Sequence, residues 1–231
     1  MVKRKGKKQR SLLYMYIDKP NCLQGSGIDF DDFLTCIDES ISSIIFIESI
    51  ENLGEKNYKA KVRYMEGVED IIDLSKERRN CDHEFAWLDA NSSENISELS
   101  RDEVSTIRDM QYEMPNEFVH FECIDNKYIF FNHDYGWYFR ICFRDYETLT
   151  DFIVKTVQRK IKYFYNKIEN IDIDYNKILQ EVHNGIFIDF EEKLTLNNLV
   201  LPLYSIAQNV DIDHLKFCIE YYKNKPIEHK T

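Results

Sequence analysis

The stretch FVHFECIDNKYIFFNHDYGWYFRICF, residues Phe118–Phe143, carries the densest run of aromatic residues in the chain and decides the predicted fold. Turn-forming residues at Asp125–Lys127 and His133–Gly136 divide it into aromatic and β-branched runs. The pattern therefore predicts three consecutive strands, at residues 118–124, 128–132 and 137–143. Apolar residues occur on both faces of the later strands, which predicts an antiparallel sheet covered on both sides.

The segments around this stretch predict helices and further strands. Apolar residues recur at helical spacing over residues 29–44 and again over about 145–167, which predicts two helices that pack on the sheet. Residues 58–65 alternate as in a half-buried strand, and Glu66-Gly67 predicts a turn into a second strand at 68–75. Residues 18–27 contain Pro and two Gly, which predicts a loop.

Three smaller features refine this prediction. Ser100 and Glu103 form the S-x-x-E pattern of a helix capping box. Trp87 is predicted to anchor the core. Four basic residues of the 145–167 helix lie off its apolar stripe and are assigned to a solvated face: Lys155, Arg159, Lys160 and Lys162.

Composition limits the classes of function. The chain has 231 residues, 43% of them hydrophobic, and a net charge of -11. Residues 1–10, MVKRKGKKQR, hold six basic residues and no acidic ones, so the rest is more acidic than the net charge indicates. Such an arm is either a disordered solubilising tail or a contact for nucleic acid or an acidic partner. The acidic body opposes duplex binding by the whole protein.

The six cysteines form no C-x-x-C motif, and most lie among apolar residues. This usage predicts free thiols, no structural disulfide and a cytoplasmic, reducing location. No apolar run has the length of a signal peptide or a membrane span, so no membrane association is predicted.

The C-terminal residues contain a weak internal repeat. The segment Asn170–Asp174, NIDID, recurs thirty-nine residues later as Asn209–Asp213, NVDID, and each copy precedes a helix-forming segment. Self-similarity at such a period predicts structural units that stack on one another.

Residues 201–224, LPLYSIAQNVDIDHLKFCIEYYKN, resemble an ankyrin repeat. Pro202-Leu203-Tyr204 occupies the position of the turn that opens the first helix, Ala207 that of the small helix–helix contact, and Leu215-Lys216-Phe217 matches the second helix. The resemblance implies an all-helical, ankyrin-like part over residues 169–231 that binds a protein. The predicted fold is thus α+β: a disordered basic arm at 1–10, an antiparallel sheet with packed helices at 11–168, and the helical part.

The leading functional hypothesis is a non-catalytic protein that binds a protein partner. One specific form is an immunity or inhibitor protein whose acidic surface covers a basic site. Exposed aromatic residues and a turn are the candidate contacts: Asp134, Tyr135, Trp137, Tyr163, Tyr165 and Tyr204.

Two alternatives remain open. His120, Glu122 and His133 could form the site of a metal-dependent or nuclease-like enzyme. The basic arm could instead serve a nucleic-acid-associated factor. The leading hypothesis predicts no cofactor, no metal and no catalytic residue.

Overall fold

A nine-stranded antiparallel sheet forms the framework, with its strands in the order β4-β3-β5-β6-β7-β2-β1-β8-β9. The computed structural model describes residues 11–37, 41–50, 59–78, 85–110, 117–133, 138–164, 174–190 and 203–205. The strands are β1 (Leu12–Lys19), β2 (Cys22–Ser26), β3 (Ser43–Ile50), β4 (Lys59–Glu66), β5 (Phe85–Asp89), β6 (Tyr128–His133), β7 (Tyr138–Phe143), β8 (Ile186–Asp189) and β9 (Leu203–Ser205).

Helices pack on both faces of this sheet. In the described part of the chain they are α1 (Phe30–Cys36), α2 (Val68–Arg78), α3 (Ser93–Ile96), α4 (Arg101–Asp109), α5 (Tyr146–Phe164) and α6 (Tyr175–Glu181). A short 3-10 turn, Val182–Asn184, follows α6. The α+β class with an antiparallel sheet is therefore confirmed.

Each face of the sheet has its own hydrophobic core. The larger core joins α1, α2, α5 and α6 to the sheet through residues such as Phe33, Leu74, Phe152 and Ile178. The second core, on the opposite face, is closed by α4 and the segment before β6. Trp87 is fully buried in the larger core, where Phe33 meets it edge-on at 5.1 Å. The predicted cover on both faces and the predicted anchoring role of Trp87 are confirmed.

Two predicted strands are wrong. Residues 68–75 form most of α2, because Ile71, Leu74 and Ser75 are buried at helical spacing while Ile72 and Asp73 face outward. The segment 118–124 is irregular, because the side chain of Asn126 satisfies its backbone. Asn126 Oδ1 accepts a hydrogen bond from Phe121 N at 2.8 Å, and Nδ2 donates to the Val119 carbonyl oxygen at 2.9 Å.

The predicted loop at residues 18–27 is largely wrong as well, since it contains β2. Gly25 lies inside that strand opposite Met15. A Cβ atom at Gly25 would collide with the carbonyl oxygen of Tyr14. The glycine therefore permits a close approach of two strands and does not mark a turn.

The first predicted helix is shorter than its apolar pattern. α1 ends at Cys36, and Ile37 is extended, with a ψ of 148°. Ile41 and Ile44 continue the helical spacing in the sequence, but Ile44 lies in β3. α5 and the Ser100–Glu103 capping box form as predicted.

Residues beyond the predicted domain boundary at residue 169 contact the α+β part. α6 packs into the larger core, and β8 pairs with β1 from Leu12↔Asp189 to Met15↔Ile186. Residues 174–190 thus complete the α+β unit. Leu203–Ser205 form a strand paired with β8, where the ankyrin resemblance implies a turn opening a helix.

The prediction of no structural disulfide is wrong. Cys22 on β2 and Cys142 on β7 are directly opposite each other, with Cα atoms 4.2 Å apart, and form a disulfide. Both residues are fully buried. Cys36 and Cys123 are free thiols.

Candidate functional site

The candidate site lies at one edge of the sheet. β5 ends at Asp89, β6 begins at Tyr128 and β7 ends at Phe143. Because adjacent strands are antiparallel, these three strand ends lie side by side. α5 begins three residues after β7, so its first turns border the same edge.

The carboxylate of Asp125 connects three side chains at this edge. It accepts hydrogen bonds from Arg144 and from Asn91 Nδ2, the latter at 3.4 Å, and His120 Nε2 lies 3.2 Å from its Oδ1. These contacts, Arg144 foremost, lower the pKa of Asp125 below its ordinary value. Its φ of 46° lies in the left-handed region that non-glycine residues rarely adopt. The surrounding fold therefore fixes the position of this carboxylate.

A second carboxylate, Asp89, fixes the start of β6. Its Oδ1 accepts hydrogen bonds from the backbone N–H groups of Lys127 at 2.9 Å and Tyr128 at 2.7 Å. Burial raises the pKa of Asp89 to about 6, although the two backbone hydrogen bonds act in the opposite direction. The Lys127 carbonyl oxygen in turn accepts from Arg144 N at 2.9 Å. Asp89 thus positions the backbone of both Lys127 and Arg144.

Asp89 predicts an unusual pH dependence of stability. Its folded-state pKa of about 6 lies above the ordinary value of 3.8. Between these two pH values the Asp89 carboxyl holds its proton more tightly in the folded chain than in the unfolded chain. The stability that this protonated carboxyl contributes is therefore present near pH 4 and is lost as the pH rises through 6. At about 1.36 kcal/mol per pKa unit, the loss is up to about 3 kcal/mol.

Urea denaturation of the wild type and Asp89→Asn checks this prediction. From about pH 4 to about pH 7, the wild type should lose about 2–3 kcal/mol of unfolding free energy relative to the variant. Asp109→Asn is a control that should track the wild type across this range, because the hydrogen bond from Arg108 lowers the pKa of Asp109 below 3.8 and so places its titration below the tested window. A difference between wild type and Asp89→Asn that stays constant with pH would contradict the assignment.

A cleft of about 430 Å³ opens beside these two carboxylates. Its walls come from the end of α1, the start of β6 and the first turns of α5. The lining residues are Cys36, Ile37, Lys127, Tyr128, Arg144, Asp145, Glu147, Thr148, Asp151, Phe152 and Lys155. They include three basic and three acidic side chains, so the walls carry both signs of charge.

The cysteine of the cleft does not suit nucleophilic chemistry. Cys36 is 2% exposed, and burial raises the pKa of its thiol to about 11. The reactive form of cysteine is the thiolate, which is scarce at neutral pH when the pKa is so high. Cys36 therefore acts as a wall of the cleft.

An aromatic pair extends the site on the helical side. The rings of Tyr146 and His183 stack with centroids 6.3 Å apart, and the Tyr146 hydroxyl lies 3.1 Å from His183 Nε2. Tyr146 remains 45% exposed. The strand-end surface is defined here as His120, Arg144, Tyr146 and His183. Within this surface, Arg144 is exposed and hydrogen-bonded to Asp125, and Tyr146 is exposed and stacked on His183.

The predicted partner contacts are only partly described. Asp134, Tyr135, Trp137 and Tyr165 lie outside the described residues. Tyr163 is 45% exposed on the last turn of α5, edge-on to Phe164. Tyr204 lies in β9, opposite Phe187 in the strand register. The contact role of all six residues stays a prediction, as does that of the basic arm, which also lies outside the described ranges.

The structure does not bring together the residues of the enzyme alternative. His120 contacts Asp125, which precedes β6, whereas His133 is the last residue of that strand. Five residue steps at about 3.3 Å separate the two ends of β6, roughly 17 Å. Glu122 is exposed. His120 thus contacts a residue just before one end of β6, and His133 lies at the other end; the enzyme alternative itself stays a prediction.

The sequence patterns did not single out Arg144, Tyr146 or His183. Their partners are distant in the chain: Arg144 bonds to a residue 19 positions away, and Tyr146 to one 37 positions away. The available signal was the position of Arg144 between a predicted strand and a predicted helix, since functional residues often lie in such connections.

The fold and site define an α+β protein with a preformed, mixed-charge cleft at a strand-end edge. Comparison with protein-family models, curated proteins and solved structures yields no significant match. Among the residues that the structure describes, no group of three His, Cys, Asp or Glu side chains is arranged to hold a metal ion. Within the same ranges, no helix is long and apolar enough to cross a bilayer.

Proposed function

We propose that this chain is a non-catalytic protein-interaction protein that contacts its partner through the strand-end surface. The observation that carries the proposal is the pair of exposed anchors, Arg144 and Tyr146. Arg144 is 43% exposed and bonded to Asp125, and Tyr146 is stacked on His183. Arg and Tyr are enriched among residues that dominate binding energy. Anchors already held in place lose less conformational entropy when a partner binds.

The ankyrin resemblance supports the same proposal, because it implies a protein-binding role. The resemblance rests on residues 201–224, of which Leu203–Ser205 lie in β9 of the sheet. The immunity or inhibitor form rests on the net charge of -11. The cleft is lined by equal numbers of acidic and basic side chains, so it does not support an acidic surface that would cover a basic site. A cytoplasmic location stays a prediction.

Tyr146→Ala should weaken partner binding about tenfold or more, which is typical for loss of an aromatic anchor. The partner is first captured from the source cell with the full chain, and its affinity for purified variants is then measured by calorimetry. Tyr163→Ala is the comparison variant, because Tyr163, itself one of the six predicted contacts, lies on the same helix and is also 45% exposed.

The two variants also separate two possible contact surfaces. Loss of affinity with Tyr146→Ala alone supports the strand-end surface. If Tyr163→Ala weakens binding and Tyr146→Ala does not, the contact lies at the other end of α5, and the proposed surface is wrong.

A further inference from the structure

The cleft combines opposite charges from separate elements. Arg144 and Lys127 come from the connections at the strand ends, whereas Glu147 and Asp151 come from successive turns of α5. The hydroxyl of Thr148 lies between these turns, and the buried Tyr128 and Phe152 provide apolar walls. Such walls can bind a ligand that itself carries both charges.

Hydrogen bonds restrain both residues of the cationic side, Arg144 through its guanidinium and Lys127 through its backbone. Asp125 bonds to the Arg144 guanidinium, and Asp89 bonds to the Lys127 backbone. The hydrogen bond to Asp125 uses one of the five N–H donors of the Arg144 guanidinium, and the side chain is 43% exposed. The guanidinium is therefore preorganised and still has donors for a ligand carboxylate.

We propose that the cleft binds a small zwitterion of the amino-acid or dipeptide class. The ligand carboxylate binds at Arg144 and Lys127, and its ammonium group binds at Glu147 and Asp151. A phosphate-rich ligand would meet three carboxylates, and a simple cation would meet three basic side chains, so neither matches the walls.

The size of the cleft agrees with this class. A volume of about 430 Å³ is near the lower end of the roughly 300–1,000 Å³ that ligand sites span. Thr148 and Lys155 are two helical turns apart, about 10 Å along α5. That length accommodates an amino acid or a dipeptide. The site shares Arg144 with the proposed protein contact but not Tyr146, which does not line the cleft.

Calorimetry on the full chain tests the proposal. The probes are alanine and alanyl-alanine, with propionate and ethylammonium as half-molecules that carry one charge each. We expect the zwitterions to bind, and each half-molecule to bind at least about tenfold more weakly, because it matches the charge of only one side of the cleft. Arg144→Gln and Asp151→Asn should each reduce zwitterion affinity at least about tenfold.

Two variants outside the cleft serve as controls for zwitterion binding. Arg108→Gln removes an exposed arginine from α4, on the other face of the sheet, and should leave binding unchanged. Tyr146→Ala should also retain zwitterion binding, so failure of the protein-contact proposal is distinguishable. Thermal unfolding of the unliganded variants confirms that they are folded. The proposal is overturned if neither zwitterion binds below about 10 mM, if a half-molecule binds as tightly, or if both cleft variants bind like the wild type.

Discussion

Asp32→Ala is expected to lower the free energy of unfolding by about 3–5 kcal/mol, because it removes the acidic partner of a buried charge. Asp32 is 4% exposed and Lys160 is 1% exposed. Lys160 Nζ donates to Asp32 Oδ2 at 3.2 Å, and Arg159 Nε donates to Oδ1 at 3.0 Å. These contacts join α1 to α5 inside the larger core. Removing this carboxylate leaves the desolvated Lys160 ammonium poorly compensated.

Asp31 offers a matched control within the same helix. It is 24% exposed and contacts Arg159 at 3.3 Å. As a partly solvated ion pair, it should contribute about 1 kcal/mol or less. Urea denaturation of Asp31→Ala and Asp32→Ala compares the two. Equal losses in the two variants would contradict the special role of Asp32.

A double substitution tests the physical cause. Replacing a buried ion pair by apolar residues of similar size is often neutral, whereas removing one partner is costly. Asp32→Leu combined with Lys160→Met should therefore recover most of the stability lost in Asp32→Ala. If the double variant is as unstable as Asp32→Ala, the loss arises from the helix cap or from packing, since Asp32 also accepts from the Asp29 N–H at 3.4 Å.

Lys160 shows where inference from the sequence failed in α5. The prediction placed it off the apolar stripe, on a solvated face, but the structure buries it. Leu149, Ile153, Thr156 and Lys160 follow each other at helical spacing on the buried side of α5. The spacing thus indicated burial, while the residue type indicated exposure. The ion pair with the distant Asp32 reconciles the two, and no local pattern identifies that partner.

The sheet was more predictable than the site, for a physical reason. Strands β6 and β7 are specified by their own aromatic and β-branched runs and by the turn residues that bound them, so nearby residues suffice to predict them. Residues 118–124 were mistaken for a strand because the amide of Asn126 replaces a strand partner. The site depends on contacts such as Asp89 to Lys127, 38 residues apart. Periodicity carries no information on such pairs.

Cys142→Ala is expected to lower the free energy of unfolding by about 3–5 kcal/mol relative to the oxidised wild type. The Cys22–Cys142 disulfide spans 120 residues of chain. Closing a loop of this length restricts the unfolded chain, and the chain-entropy relation gives roughly 4–5 kcal/mol. A reductant should lower the stability of the wild type to near that of Cys142→Ala and leave the variant itself unchanged.

Mass spectrometry decides whether that stabilisation comes from the bond. When the protein is unfolded without reductant and alkylated, peptides containing Cys22 and Cys142 should be recovered linked to each other, and Cys36 and Cys123 should be alkylated. Cys123→Ala serves as the control for stability, because Cys123 is a free, partly exposed thiol and should cost well under the disulfide value. If Cys22 and Cys142 are both alkylated before reduction, the stabilising bond is absent. The pair then acts only as two buried apolar residues at the centre of the sheet, and Cys142→Ala should cost about 1 kcal/mol.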